Sequence, residues 1–159
     1  MTENKPKKVG DNAIDFTIHD QNGKPYTLSK SKGKHILLSF HPLAWTSVCA
    51  QQMQSLEQNI EVFEKTQTIA VGISVDSTPS KKAWAQSLGI TSTRLLCDFW
   101  PHGDVAQKYG ILREKEGISE RANIIIDKDQ KICFIKIYPL PQLPDIKEIL
   151  QFLKIKDAG

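Results

Sequence analysis

The segment Phe40-His-Pro-Leu-Ala-Trp-Thr-Ser-Val-Cys49 holds the residues of this chain whose types and order suit chemistry. A dense apolar run, Ile36 to Phe40, leads into it, and Pro42 stops that run. From Thr46 onward the apolar residues change period. Cys49, Met53, Leu56, Ile60 and Phe63 recur at steps of four and three, the buried face of one amphipathic helix. Thr46 or Ser47 is a ready N-cap, which sets Cys49 in the first helical turn. Unpaired backbone N–H groups and the helix dipole favour an anion there. A thiol held in such a place spends more of its time as thiolate, the nucleophilic form. Thr46 is set to cap the helix and to point its hydroxyl at whatever Cys49 attacks. The alternative for Cys49 is a small apolar residue that opens a buried stripe.

The elements that must position these residues alternate between strand and helix. Ala13 to His19 reads as a short strand, turned by Asn22-Gly23 into a second at Lys24 to Leu28, an N-terminal hairpin. Lys34 to Phe40 reads as a buried central strand. After the Cys49 helix come a strand at Thr68 to Ser74, a helix at Pro79 to Leu88 closed by Gly89, and a strand at Thr93 to Cys97. A short helix at Gly103 to Tyr109, strands at Arg121 to Asp127 and Lys131 to Ile137, and a last helix at Asp145 to Leu153 complete the order. This pattern means an α/β fold with a mixed central sheet flanked by helices.

Composition narrows the function classes. The chain has 159 residues, 40% hydrophobic and 25% charged, which suits one globular domain. Residues 1–8 read as a flexible basic tail and 9–159 as the domain. The excess of 21 basic over 18 acidic residues is small, and Lys5, Lys7 and Lys8 supply most of it. No basic stripe suggests nucleic acid, no apolar run approaches a membrane span, and the opening residues have no signal-peptide core. Three widely spaced cysteines, Cys49, Cys97 and Cys133, argue against a disulfide framework and for a reducing compartment, so a cytoplasmic location is expected. Cys97 and His102 lack further ligands at zinc-site spacing, so no metal is expected.

The spacing Pro42-x-x-x-Thr46-x-x-Cys49 resembles the active-site signature of the peroxiredoxins, and the likeness extends from about Val9 to Leu153. Val9-Gly-Asp-Asn-Ala-Ile-Asp-Phe16 resembles the opening of that family. Val71-Gly-Ile-Ser-Val-Asp76 and Trp84 resemble its middle, and Arg121 followed by Ile124-Ile-Ile-Asp127 resembles the segment bearing its arginine. Asp98-Phe-Trp-Pro-His-Gly103, continuing to Tyr109-Gly110, is most similar to the alkyl hydroperoxide reductase E-like branch, which works with one cysteine.

The resemblance implies a thioredoxin-like fold and a thiol-dependent peroxidase acting on hydrogen peroxide and organic hydroperoxides. Cys49 would be the peroxidatic nucleophile, Thr46 would hydrogen-bond the peroxide, Arg121 would hold the thiolate, and Pro42 would shield it. No bound cofactor is implied, because reducing equivalents come from an external thiol, a thioredoxin-like protein or a small thiol. A homodimer built around the active-site end, with Trp45 near the contact, is also expected. Two positions depart from the family pattern. Gln52 stands where many members carry Glu, and it orients Arg121 without adding charge. His41 stands where an aromatic residue is usual; it either adds positive charge near Cys49 or fills the space of the ring.

Cys133, alternating with Ile135 and Ile137, reads as a buried inert thiol. Cys97 ends a strand that the resemblance sets two places from the one leading to Cys49. That separation is nearly ~10 Å at ~4.8 Å per strand, beyond the ~7 Å a disulfide spans. A thiol–disulfide oxidoreductase on the same fold would want a Cys-x-x-Cys pair, which Ser47, Val48 and Gln52 deny. A peroxide sensor or redox relay passing Cys49 oxidation to a partner is the remaining alternative.

Overall fold

In the computed structural model, residues 5–158 are described. The chain runs β1 (Thr17–Asp20), β2 (Pro25–Thr27), β3 (His35–Phe40), α1 (Ser47–Gln58), α2 (Ile60–Lys65), β4 (Thr68–Ser74) and α3 (Thr78–Leu88). It continues with β5 (Arg94–Cys97), α4 (Asp104–Lys108), β6 (Leu112–Arg113), β7 (Ile118–Ser119), β8 (Arg121–Ile126), β9 (Ile132–Tyr138) and α5 (Ile146–Ala158). Seven strands form one sheet in the order β2-β1-β5-β4-β3-β8-β9. β3, β4 and β5 are parallel, while β8 and β9 run antiparallel to their neighbours. The sheet is therefore mixed, as the sequence implies, and β3 lies inside it with all six residues buried.

Alternation along the strands divides the core in two. Ile36, Leu38 and Phe40 of β3 join Val71, Ile73, Ile124 and Tyr109 on one face. Leu37 joins Cys49, Met53, Trp84, Leu95 and Ile125 on the other, beneath α1, α3 and α5. The same alternation turns Ser39, Arg121 and Asn123 toward the α1 face, so polar groups enter a layer that is otherwise apolar. Gly72 of β4 makes close packing under α1 possible, since a Cβ there would strike Met53 Sδ and crowd His41.

Several elements differ from the sequence reading, each for a local reason. The strand expected from Ala13 begins only at Thr17. The Tyr109 hydroxyl accepts from Ile14 N (3.1 Å) and donates to Ile14 O (2.8 Å), so a side chain occupies the place of a partner strand. The stripe from Cys49 to Phe63 spans two helices, because Asn59 leaves helical geometry and folds its amide back onto Ser55 O (2.7 Å). The β6–β7 hairpin was not foreseen, since strands of two residues carry no periodicity. α5 continues past Leu153 to Ala158 on good helix formers.

Cys133 needs a correction. A register irregularity opposite Ile125 and Ile126 inserts it as an extra residue, so Ile126 pairs with Ile132 and Ile125 with Phe134. Cys133 therefore shares the face of Phe134, not that of Ile135, and is half-buried. Of the tail expected over residues 1–8, residues 1–4 lie outside the described residues. Lys7 N donates to Tyr109 O (3.4 Å), and a Cβ on Gly110 (φ +73°) would run into the Lys5 carbonyl. Among the described residues, no helix is long and apolar enough to cross a membrane.

Candidate active site

β3 delivers the chain to His41 and Pro42, both buried, and a short turn then leads into α1. Trp45 adopts φ +68°, a conformation that bulky residues rarely take. Two contacts hold that turn: Ala44 N donates to Asp76 Oδ2 (2.8 Å), and Trp45 Nε1 donates to Ser80 Oγ (3.0 Å). α1 starts at Ser47, with Thr46 as its N-cap residue. Its first intrahelical bond is Ala50 N to Thr46 O (2.9 Å), so the N–H groups before Ala50 precede the ladder. Cys49 sits in this first turn and is fully buried.

The Thr46 hydroxyl corrects the expectation of a side-chain cap. It makes no cap hydrogen bond and instead donates to Leu43 O (2.8 Å) across the turn. The left-handed Trp45 brings that carbonyl back beneath it. With its proton committed to Leu43, the Thr46 oxygen is left with lone pairs to accept a donor.

Arg121, the first residue of β8, closes the site from below. Its Nη1 donates to Cys49 Sγ (3.3 Å) and to Gln52 Oε1 (2.8 Å), while Nε donates to Leu140 O (2.8 Å). The guanidinium is buried, which strengthens its pull on a sulfur anion. Gln52 is held in turn, because its Nε2 donates to Ser39 Oγ (2.7 Å) and Phe40 O (3.1 Å). Ser39 Oγ donates to Asn123 Oδ1 (2.7 Å), and Asn123 Nδ2 donates to Tyr138 Oη (3.4 Å). A carboxylate at position 52 would face the Phe40 carbonyl with no proton to offer. An amide suits this position for that reason.

His41 resolves as a neutral ring. Burial, then the cations of Lys81 and Arg121, hold it well below its ordinary value, and the ring packs on Trp84 at 5.4 Å. Lys81 Nζ donates to His41 Nε2 (2.9 Å) and Ser74 Oγ (2.7 Å), and Ser74 Oγ donates to Asp76 Oδ2 (2.6 Å). The sequence reading missed Lys81, Ser74, Asp76, Ser39 and Asn123. For Lys81 a signal existed: it lies at helical spacing from Trp84 and Ala85, on the face α3 buries.

The other two cysteines lie apart from this site. Cys97 ends β5, paired with Ser74 of β4, and β4 separates it from β3. Its Sγ points to Leu95 O at 3.8 Å, and burial pushes its thiol up, offset only in part by Lys81. Cys133 lies at the far end of β9, five residues from the Tyr138 that pairs with Arg121. That is roughly 17 Å along a strand. Its Sγ faces Ile125 O (3.5 Å), and burial pushes it up to about 11.

The AhpC/TSA family model matches residues 9–135. The chain belongs to that family. It is 41% identical over 130 residues to alkyl hydroperoxide reductase E of Mycobacterium tuberculosis, an alignment covering 81% of this chain and 84% of that protein. It is 32% identical over 148 residues to thiol peroxidase of Oceanobacillus iheyensis, covering 92% and 88%. The reduced 2-Cys peroxiredoxin of Plasmodium vivax superposes with a TM-score of 0.86 at 25% identity, covering 96% of this chain and 83% of that one. The fold is thus thioredoxin-like and the chain is a peroxiredoxin enzyme, as the sequence resemblance implied.

Proposed function

We propose that this peroxiredoxin is a one-cysteine thiol peroxidase with Cys49 as its peroxidatic nucleophile. The observation that carries the reading is the Arg121 guanidinium donating to Cys49 Sγ at 3.3 Å while Gln52 fixes its orientation. The Cys49 thiolate attacks the terminal oxygen of H–O–O–R, the S–O bond forms as the O–O bond breaks, and R–O⁻ leaves to take a proton from solvent. Cys49 becomes a sulfenic acid. Thr46, its own proton given to Leu43, accepts from the peroxide O–H and aims the O–O bond at the sulfur. Arg121 stabilises the charge passing from sulfur to the leaving oxygen. Pro42 keeps water from the thiolate.

An external thiol then completes the cycle. It condenses with the sulfenic acid to a mixed disulfide with loss of water, and a second thiol displaces Cys49 as thiolate. Cys97, on a strand two places (about 10 Å) from the one leading to Cys49, and Cys133, at the far end of the sheet, favour this route over an internal disulfide. The reductant is a small thiol or a thioredoxin-like protein, and three unpaired cysteines suit a cytoplasmic setting. Stopped-flow peroxide consumption with each candidate reductant tests the reading. Turnover is expected to follow the reductant supplied, and turnover with none of them would contradict the assignment.

The partner we propose is a second copy of the chain. Leu43 (41%), Trp45 (57%), Phe99 (52%) and Trp100 (80%) are exposed at the end of the sheet that bears Cys49. Trp45 bonds Ser80, while Phe99 and Trp100 line a cleft with Thr78 and Cys97, so aromatics flank the first turn of α3. Light scattering is expected to give a dimer mass at micromolar concentration; a monomer would contradict this.

A further inference from the structure

On the α1 face of the sheet, strands β3 and β8 meet at two successive cross-strand pairs, Leu37 with Ile125 and Ser39 with Asn123. The first pair is apolar and belongs to the core beneath the helices. The second is polar, although Ser39 is only 1% and Asn123 only 3% exposed. Burying a hydroxyl and an amide is unfavourable unless each finds partners, and an apolar pair would continue the layer at lower cost. Packing alone gives no reason for Ser39 and Asn123. Their position differs from that of Leu37 and Ile125 in lying under Gln52, whose Nε2 donates to Ser39 Oγ at 2.7 Å.

Two ends that cannot reverse set the direction of every hydrogen bond between them. The Arg121 guanidinium only donates, so it takes Gln52 Oε1 (2.8 Å); the Phe40 carbonyl only accepts, so it takes Gln52 Nε2 (3.1 Å). The other Nε2 proton goes to Ser39 Oγ, which leaves the Ser39 proton for Asn123 Oδ1 (2.7 Å). Asn123 Nδ2 then turns to Tyr138 Oη (3.4 Å). Arg121 and Asn123 are two residues apart on β8, so the bonds close a ring from Arg121 through Gln52, Ser39 and Asn123 back along the strand. Gln52 is thereby fixed to the strand that carries the arginine as well as to the helix that carries Cys49. Among the described residues no carboxylate forms an ion pair with Arg121, so neutral acceptors and the Cys49 sulfur hold its guanidinium.

We propose that Ser39 and Asn123 are positioning residues of the Cys49 site, which act through Gln52 to hold the Arg121 guanidinium against the Cys49 sulfur. This rests on the reading of Cys49 as the reactive thiolate. The Glu that many members carry at position 52 would present two equivalent acceptor oxygens and a charge; an amide presents one acceptor and no charge, so its orientation matters more. Ser39 and Asn123 supply that orientation.

The test is a double-mutant cycle read on Cys49 alkylation by iodoacetamide, with modified peptides identified by mass spectrometry so that Cys97 and Cys133 are counted apart. S39A is expected to slow Cys49 alkylation at neutral pH about threefold, the worth of one neutral hydrogen bond, and to displace its pH profile upward, with near-ultraviolet circular dichroism unchanged. In the Q52L background the route from Ser39 to Arg121 is already cut, and adding S39A is expected to change the rate by no more than about 1.5-fold. An alkylation rate in S39A equal to wild type would overturn the proposal. So would an equal slowing in both backgrounds, because a merely structural effect of Ser39 needs no Gln52. Should S39A not fold, S39A/N123L, which repeats the apolar pairing of Leu37 with Ile125, is expected to show the same slowing and the same dependence on Gln52. Failure of the peroxidase reading looks different: C49S would still consume peroxide although the coupling of Ser39 to Gln52 in Cys49 alkylation stood.

Discussion

Cys49, in the first turn of α1 just beyond β3, and Cys97, at the end of β5, lie at the same end of the sheet, and both are nearly sealed from solvent at 0% and 6% exposure. Their sulfurs differ in their hydrogen-bond partners, although Lys81 and the Thr78 hydroxyl also act on Cys97. Cys49 Sγ accepts from a buried guanidinium at 3.3 Å, and Cys97 Sγ faces a carbonyl at 3.8 Å. An acceptor beside a thiol holds its proton on; a cation beside it draws the proton off. The proposed role of Cys49 rests on this contrast: both thiols are buried, and the guanidinium beside Cys49 is what sets it apart. Cys133 repeats the inert case at the other end of the sheet, half-buried against Ile125 O.

The largest test of this contrast removes each sulfur in turn. C49S is expected to lower the rate constant for peroxide reduction by a factor on the order of 10³ or more. C97S and C133S should each leave the first-turnover rate within about threefold of wild type, read by stopped flow. A loss in C97S as deep as that in C49S would dissolve the distinction. Next in size is R121A, which turns the Cys49 environment toward that of Cys97. It is expected to slow peroxide reduction about 10²-fold, the worth of one preorganised donor. A wild-type rate in R121A would remove the physical reason for preferring Cys49.

A smaller effect is expected from Q52L, which leaves Arg121 in place without its anchor. Peroxide reduction should slow about tenfold, the loss of one hydrogen bond to a charged group, about 1.5 kcal/mol. An equal slowing in Q52E would show that the missing amide protons toward Ser39 and Phe40 matter as much as the acceptor toward Arg121. The smallest effect concerns Cys133 and pH. Its folded-state value is raised to about 11 from 9.0, so ionisation begins in the unfolded chain first. Any stability it contributes is present below about 9 and is lost as pH rises toward 11. With the thiol half-buried, the loss is about 1 kcal/mol. In urea unfolding the stability of wild type relative to C133V should fall by this amount as pH rises across that range, and a constant difference would contradict the inert-thiol account.

Much of this contrast was legible in the residues, and what was not has physical reasons. The Pro42, Thr46, Cys49 spacing and the change of period after it placed Cys49, the proposed nucleophile, in the first turn of a helix. Arg121 came from the family resemblance, since a strand-end arginine carries no periodic signal of its own. The direction of the Thr46 hydroxyl was not legible, because it depends on one left-handed residue, Trp45, that no sequence pattern announces. Cys133 was assigned to the wrong neighbours because a bulge breaks the period of two on which such readings rest. Lys81 was passed over because a lysine is ordinarily read as a solvated residue, although its spacing from Trp84 put it on the buried face of α3. The polar chain from Gln52 through Ser39 to Asn123 joins three elements far apart in sequence, so it appears only once β3 and β8 are paired.

The central claim, that Cys49 alone among the three thiols is activated, is tested most directly by trapping. The wild-type chain is treated with one equivalent of hydrogen peroxide in the presence of dimedone, and its peptides are mapped by mass spectrometry. The account predicts a dimedone adduct on Cys49, with Cys97 and Cys133 recovered as free thiols. An adduct on Cys97 or Cys133 instead would contradict it, and so would a peptide linking Cys49 to either of them.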